Sequence, residues 1–346
     1  MNLAIRVEKS RAEEAIALAE RLGIRDRRRR IVSSGDYVEI PVTGTGVEAG
    51  NVTEEVIKEL RRVLENEFEL VEQESPVYAR PRTLEEALAG KLPESLMKKI
   101  PKTYKVLGDV ILVKIPDGLS DYAEVIGKAL LELNPHCRSV WWDRGKRGML
   151  RKPDVVLIAG EGGETVHREG GCVYKFDVSK VMFSPGNQAE RIRMGRIVRR
   201  GEVVVDMFAG IGYFTIPMAK KAKVYAIEIN PDSYHYLLEN IRLNDVESVI
   251  PILGDSMYVT PEGVADRVVM GHVSCHEFLP VAVRALKGKG WLHYHESVPE
   301  QIIERPVRRV ISAVRAEGRD VRIEGVRKVK NYSPGVVHVV VDAYVF

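Results

Sequence analysis

The chain has 346 residues, 45% hydrophobic and 29% charged, with a formal net charge of +3. That length predicts two or three domains with true cores, and the near-neutral balance excludes a polycation, so any nucleic-acid surface is local. Met1-Asn-Leu-Ala-Ile-Arg6 lacks a signal-peptide core, no apolar run approaches the ~20 residues of a membrane span, and Cys137, Cys172 and Cys275 lie far apart, which predicts a cytoplasmic protein without disulfides or structural zinc.

Residues 1–50 read as a small α/β module. Leu3–Val7 is an expected strand, Arg11–Leu22 a helix with Ala15, Ile16, Ala19 and Leu22 at helical spacing, and Tyr37–Pro41 an edge strand. Between them Arg25, Arg27, Arg28, Arg29 and Arg30 surround Asp26. Such a run is either a grip on a phosphate backbone or a solvated charged surface. Residues 51–72 read as a linking helix. Residues 73–177 form an expected middle α/β domain, with helices over Leu92–Ile100 and Tyr122–Leu133 and a strand over Val110–Ile115. Trp141-Trp142 then leads into Arg144, Lys146 and Arg147. Tryptophans beside cations stack bases and hold phosphates, although one such tryptophan is more often core. Val155–Ile158 and Cys172–Phe176 read as a strand pair.

From residue 178 to 346, strands and helices alternate: Val203–Asp206, Tyr213–Lys220, Val224–Ile229, Ser233–Asn244, Val249–Leu253, Arg267–Met270, Glu277–Leu286, Gly290–His295 and Pro299–Glu317. Strands near Val321–Val329 and Val336–Val345 close the series. The alternation predicts a doubly wound, mostly parallel α/β sheet with its ligand at the carboxyl ends of the strands.

The stretch Asp206-Met-Phe-Ala-Gly-Ile-Gly-Tyr-Phe214 is a strand, a glycine turn and a helix start, and Glu228 ends the next strand. An acid there accepts hydrogen bonds from ribose hydroxyls. Dinucleotide sites need a third glycine to cradle a pyrophosphate, whereas here Phe214 and Thr215 follow and an acid opens the turn. That favours S-adenosylmethionine, which carries an ammonium and a ribose but no phosphate. The predicted cofactor residues are Asp206, Phe208, Gly210, Gly212, Glu228, Ile229, Asp255 and Ser256, with Asp255 on the adenine amine. Either of the acids Glu228 and Asp255 is also a candidate helix N-cap. His293, His295 and Glu296 superficially suggest a metal site, but no third ligand has sensible spacing, so no metal is expected.

Five segments carry a family resemblance: Glu169–Asp177, Phe183-Ser-Pro185 with Glu190-Arg191, Asp206–Gly212, Ile227–Pro231 and Lys330-Asn-Tyr-Ser-Pro334. Through them the whole chain resembles the archaeal and eukaryotic tRNA enzymes that modify the guanosine 3′ of the anticodon. The resemblance implies a Rossmann-like class I S-adenosylmethionine-dependent transferase domain preceded by smaller α/β domains, of which the first, 1–50, binds tRNA. It places Phe183, Ser184 and Arg191 at the cofactor and Glu190, Arg151 and His272 at the reacting base. For Glu190 and Arg191 a surface ion pair is the alternative, and for His272 a packed strand-end histidine. The methyltransferase branch carries Arg-Leu after Phe-Ser-Pro and Asn-Leu-Pro after the fourth strand. This chain has Gly186-Asn187 and Gly271-His272-Val273, the pattern of the aminocarboxypropyltransferase branch. The resemblance therefore implies transfer of 3-amino-3-carboxypropyl to 4-demethylwyosine in tRNA(Phe), with no membrane and no obligate protein partner. Guanosine-N1 methylation of the same nucleotide, or tRNA binding on a vestigial cofactor fold, are the alternatives.

Overall fold

The computed structural model describes residues 2–43, 52–73, 76–78, 83–148 and 152–346. The chain divides into two compact units, Met1–Pro93 and Glu94–Phe346. The boundaries expected at 50, 72 and 177 fall inside these units. No helix among the described residues is long and apolar enough to cross a membrane.

In the first unit four antiparallel strands lie in the order Val32–Ser34, Tyr37–Pro41, Leu3–Glu8, Glu69–Glu72. Helices Ala12–Arg21 and Glu54–Val63 cover them. The expected linking helix is part of this module. Leu60 and Leu64 are fully buried beside Ile5, Leu18 and Ile40, each contributing about 1.5–3 kcal/mol of burial.

The second unit opens with a four-stranded sheet, Tyr104–Leu107, Val110–Val113, Ser139–Arg147 and Lys152–Gly160, backed by helix Ala123–Leu133. The helix expected over 92–100 shrinks to Glu94–Met97. Pro101 lies just beyond and biases the preceding residue away from helical geometry. Val155–Ile158 and Cys172–Phe176 do not pair with each other. The first lies in Lys152–Gly160 and pairs with Ser139–Arg147, whereas Cys172–Asp177 forms a separate hairpin with Glu164–Glu169. Leu107, Val110 and Leu112 share one core with Tyr174, Phe183, Val204 and Phe214, so the smaller sheet, the hairpin and the large sheet are packed as one body.

The large sheet has seven strands, numbered here β1 Val203–Asp206, β2 Lys223–Glu228, β3 Val249–Leu253, β4 Ala265–Met270, β5 Leu286–Pro299, β6 Val321–Ser333 and β7 Val336–Val345. Their order is β3-β2-β1-β4-β5-β7-β6. β1 to β5 run parallel, and β7 is antiparallel to both β5 and β6. The order reverses beside β1, so a crevice opens where β1 and β4 end. Central strand β1 is apolar because both of its faces are covered: Val204, Val205 and Asp206 are all buried. Beside the one-turn helix Ser256–Val259, five helices flank the sheet: α1 Gln188–Ile197, α2 Thr215–Ala219, α3 Pro231–Leu243, α4 Leu279–Ala285 and α5 Arg305–Ala316. α3 starts where Asn230 accepts from the Asp232 amide at 3.1 Å and Pro231 takes the first turn. From it Asn240 bonds both the N–H and C=O of Lys175, and Asn244 does the same for Val173. These amides satisfy the free edge of the hairpin and dock it on α3.

Candidate active site

At the end of β2 the Glu228 carboxylate is fixed from two sides. Asn230 N–H donates to Oε1 at 2.7 Å and Gly210 N–H to Oε2 at 2.8 Å. Burial raises its pKa, against the pull of these backbone donors. Both oxygens keep lone pairs, so the acid is held ready for a diol. Ile229 beside it is 44% exposed, an apolar surface left open next to an ordered acid. Asp255 caps the one-turn helix Ser256–Val259, accepting from Met257 N–H at 2.9 Å through Oδ1. The cap and ligand readings are thus compatible, because Oδ2 is not used by that bond. Ser256 is buried, its hydroxyl turned to the Met207 carbonyl, and it acts as a brace under the pocket.

Asp206 has no solvent-exposed surface. Its Oδ2 accepts from Thr215 Oγ at 2.7 Å and its Oδ1 from Phe208 N–H at 3.4 Å. Burial pushes its pKa up to about 7. This acid shapes the turn from beneath, which corrects the expectation of direct ligand contact. The glycines also answer to packing. Gly210 and Gly212 have φ of +58° and +100°, and a Cβ would lie 2.7 Å from the Tyr213 ring and 2.8 Å from Ile216. Phe208 is half-buried against His272 and Phe278, at 5.6 and 5.1 Å between ring centroids. His272 accepts from Ser274 N–H at 3.3 Å through Nδ1, a local turn bond at the mouth of the crevice.

Two predicted cofactor residues prove to be internal. Phe183 is buried and stacked on Phe176 at 5.0 Å. Arg191 forms a bidentate pair with Glu169 at 2.6 and 2.8 Å, bonds the Ser184 carbonyl at 3.0 Å, and lies over the Phe183 and Tyr213 rings. Neither of the expected contacts, a donor carboxylate or a phosphate, is open to it in this arrangement. Ser184 is half-buried, and its hydroxyl accepts from Lys330 Nζ at 2.9 Å. Lys330 thus joins β6 to the Phe183–Asn187 loop, a contact the sequence reading missed, although the Lys330–Pro334 motif had marked the segment.

Glu190 is also buried, and both its oxygens accept from Arg193 Nε at 3.0 Å. Arg193 continues to Asp342 at 3.0 Å, and Asp342 accepts from His293 Nδ1 at 2.6 Å. His293 Nε2 in turn meets Arg267 at 2.5 Å, and Arg267 pairs with Glu202 at 2.9 Å. An arginine can only donate, so His293 carries its proton on Nδ1. Burial lowers the His293 pKa, and the His293 and Arg193 donors hold Asp342 far below the carboxylate range against its own burial. His293 is therefore an internal strut. No group of three or more ligating side chains suited to a metal occurs among the described residues. Arg151 lies outside the described residues.

The predicted RNA contacts divide. Arg29 is 3% exposed and bonds Asp26, Gln73 and the carbonyls of Leu3 and Val42. It is a buried strut of the first unit, which corrects its assignment. Arg25 is half-buried on the carbonyls of Pro41 and Arg29. Arg27, Arg28 and Arg30 are exposed. Replacing those three with alanine is expected to reduce the salt slope of tRNA binding by roughly two to three, with an unchanged melting temperature. Arg29→Ala is expected to melt early instead. Equal slopes for wild type and triple variant would return the run to a solvated surface. In the second unit Arg144 and Arg147 flank Asp154, each at 2.8 Å, and Arg144 lies over Trp142. Lys146 is exposed. Trp141 packs on the core and bonds the Gly162 carbonyl.

Comparison with known proteins agrees with this architecture. Residues 165–324 match the TRM5/TYW2 methyltransferase domain, 84–163 the TYW2 N-terminal domain, and 4–45 the tRNA methyltransferase 5 N-terminal domain. The chain is 46% identical over 246 residues to the tRNA(Phe) (4-demethylwyosine(37)-C(7)) aminocarboxypropyltransferase of Methanocaldococcus jannaschii, covering 69% of this chain and 96% of that one. P. horikoshii TYW2, solved in complex with MeSAdo, superimposes with a TM-score of 0.69 at 39% identity, over 78% of this chain and 99% of that one. Trm5b from Pyrococcus abyssi gives 0.70 at 34% identity, over 100% and 99%. With three matched segments and full-length likeness to a solved member, the chain belongs to the TRM5/TYW2 family of tRNA-modifying enzymes.

Proposed function

We propose that this enzyme transfers the 3-amino-3-carboxypropyl group of S-adenosylmethionine to C7 of 4-demethylwyosine at position 37 of tRNA(Phe), with methylthioadenosine as the second product. The donor supplies a sulfonium whose γ-carbon is open to displacement, with the thioether as leaving group. Glu228 holds the ribose hydroxyls, Asp255 the adenine amine, and Ile229 covers an apolar face of the nucleoside. The target base leaves the anticodon stack to reach the crevice. Arg27, Arg28 and Arg30 in one unit, and Lys146 with the Trp142–Arg144 pair in the other, are proposed to grip the tRNA.

The observation that carries this reading is Gly186-Asn187, which adds no cation where the methyltransferase pattern has Arg-Leu, on the same loop that Arg191 braces. The Arg191 guanidinium is spent on Glu169 and on the Ser184 carbonyl. In that pairing its donors are not offered to the donor's carboxylate. A tail freed from an arginine clamp can present its γ-carbon in line with the nucleophile. One finding favours guanosine-37 N1-methylation instead: residues 4–45 match the N-terminal domain of tRNA methyltransferase 5. Incubation with tRNA carrying 4-demethylwyosine, or with unmodified transcript, and donor labelled in either the methyl or the carboxyl carbon separates the two. Carboxyl label is expected in the RNA bearing the tricyclic base. Methyl label in the unmodified guanosine would replace this reading with the second.

A further inference from the structure

The loop that brings no cation of its own receives one from another strand. Lys330 on β6 reaches the Phe183–Asn187 loop, where its Nζ donates to Ser184 Oγ at 2.9 Å. Its stem runs over Gly186, where a Cβ would stand 3.1 Å from Lys330 Cδ and 3.3 Å from Nζ. Those distances are shorter than ordinary van der Waals contact, so a side chain at 186 and the present course of Lys330 compete for one space. Glycine at 186, where the methylating pattern carries arginine, thus removes one cation and leaves room for another that arrives from a different direction.

The end of that lysine is arranged to hold an anion. Ser184 Oγ accepts from the ammonium through a lone pair, and its own O–H remains a donor. An ammonium and a hydroxyl side by side form a fork that suits the two oxygens of a carboxylate. Arg191 fixes the loop from behind by holding the Ser184 carbonyl at 3.0 Å. The buried acids of this region, Glu190 and Asp342, are already held by Arg193. Ser184 and Lys330 are half-buried and Gly186 is exposed, so a ligand can reach the fork.

The fork also lies next to the nucleoside site, and Tyr213 joins the two. The Tyr213 ring occupies the space in front of Gly210, whose N–H donates to Glu228. The same ring packs edge-on against Phe183 at 5.5 Å between centroids, and its hydroxyl donates to the Met182 carbonyl. A nucleoside held at Glu228 therefore has the Phe183–Asn187 loop one aromatic ring away. The amino-acid arm beyond the sulfur bridges a gap of that size and ends in a carboxylate.

We infer that Lys330, together with Ser184 Oγ, holds the α-carboxylate of S-adenosylmethionine and so turns the γ-carbon toward the extruded base. This rests on the aminocarboxypropyl reading and names the residues that set it. Pinning the far end of the arm at β6 orients the carbon–sulfur bond that breaks, and alignment with the attacking carbon is worth orders of magnitude in rate. Gly186 is part of the device, because only a residue without a Cβ lets the lysine stem lie where it does.

The test measures binding, without RNA, of S-adenosylmethionine, its decarboxylated form and methylthioadenosine. Wild type is expected to bind the decarboxylated donor about 30-fold more weakly than the parent. In Lys330→Gln that preference is expected to fall to near one, and in Lys330→Arg to persist in part. Methylthioadenosine, which has no amino-acid arm, is expected to bind all three proteins alike. Single-turnover transfer of carboxyl-labelled donor to tRNA carrying 4-demethylwyosine is expected to slow about 100-fold in Lys330→Gln. Gly186→Ala, which presses on the stem and leaves the lysine in the chain, is expected to shift preference and rate the same way by a smaller factor. A wild type without the preference, or a Lys330→Gln protein that keeps it, would overturn the assignment. So would an equal loss of methylthioadenosine affinity, which marks a damaged nucleoside site, or weaker tRNA binding with donor preference intact, which marks a phosphate contact. Carboxyl label in RNA from wild type upholds the parent reading whatever the binding shows, so failure here counts against Lys330 alone.

Discussion

Arg191→Met is expected to destabilise the protein by about 3–5 kcal/mol, seen as early melting in denaturant or heat. Its guanidinium and the Glu169 carboxylate are each 4% exposed and form two parallel bonds, at 2.6 and 2.8 Å. Removing the cation strands a buried carboxylate, left with His167 at 3.9 Å. It also releases the Ser184 carbonyl and the stacking on Phe183 and Tyr213, so the hairpin and the Phe183–Asn187 loop lose their common anchor. Adding Glu169→Gln to Arg191→Met is expected to restore a good part of the loss, because the stranded charge is then gone. The pH dependence has a definite sign. Burial would raise the Glu169 pKa, but His167 and Arg191 hold it below its ordinary 4.5. The pair's contribution is thus complete above that value and is lost as pH falls through the lower folded-state value. Loss of transfer activity without loss of stability, and no rescue by the second substitution, would show that Arg191 acts on the donor or the RNA instead.

The doubly wound sheet was legible because β1 to β4 are short apolar runs, β1 and β2 ending in acids, and because the turn after β1 has the glycine spacing of a nucleoside site. Glu228 and Asp255 stand where the spacing put them, since strand ends in a parallel sheet are fixed by topology. What the sequence hid was pairing at a distance. Nothing local shows that Arg191 is spent on Glu169, that Arg29 is an internal strut while Arg28 and Arg30 are exposed, or that His293 bridges Asp342 and Arg267. A charged residue reads alike in a chain whether its partner is solvent, RNA or a carboxylate many residues away. The hairpin error has the same root: Val155–Ile158 and Cys172–Phe176 are both apolar strands, and only the intervening Glu164–Glu169 decides their partners.

Glu228→Ala is expected to weaken methylthioadenosine binding about 100-fold, the combined effect of two hydroxyl bonds to a charged acceptor at about 1.5 kcal/mol each. The substitution also strips Gly210 and Asn230 of the carboxylate their N–H groups donate to, at 2.8 and 2.7 Å. A loss of affinity alone would therefore not distinguish ribose contact from collapse of the turn. A cycle with deoxy analogues does. Wild type is expected to bind 2′-deoxy and 3′-deoxy methylthioadenosine more weakly than the parent, whereas Glu228→Ala binds all three alike. If the variant still penalised the deoxy analogues as wild type does, the hydroxyls would be held elsewhere and Glu228 would be a turn brace. Burial raises the Glu228 pKa, and hydroxyl donors favour its ionised form. Wild-type affinity is accordingly expected to fall as pH drops through that raised value, and this limb is expected to vanish in Glu228→Ala, which has nothing left to protonate at that position.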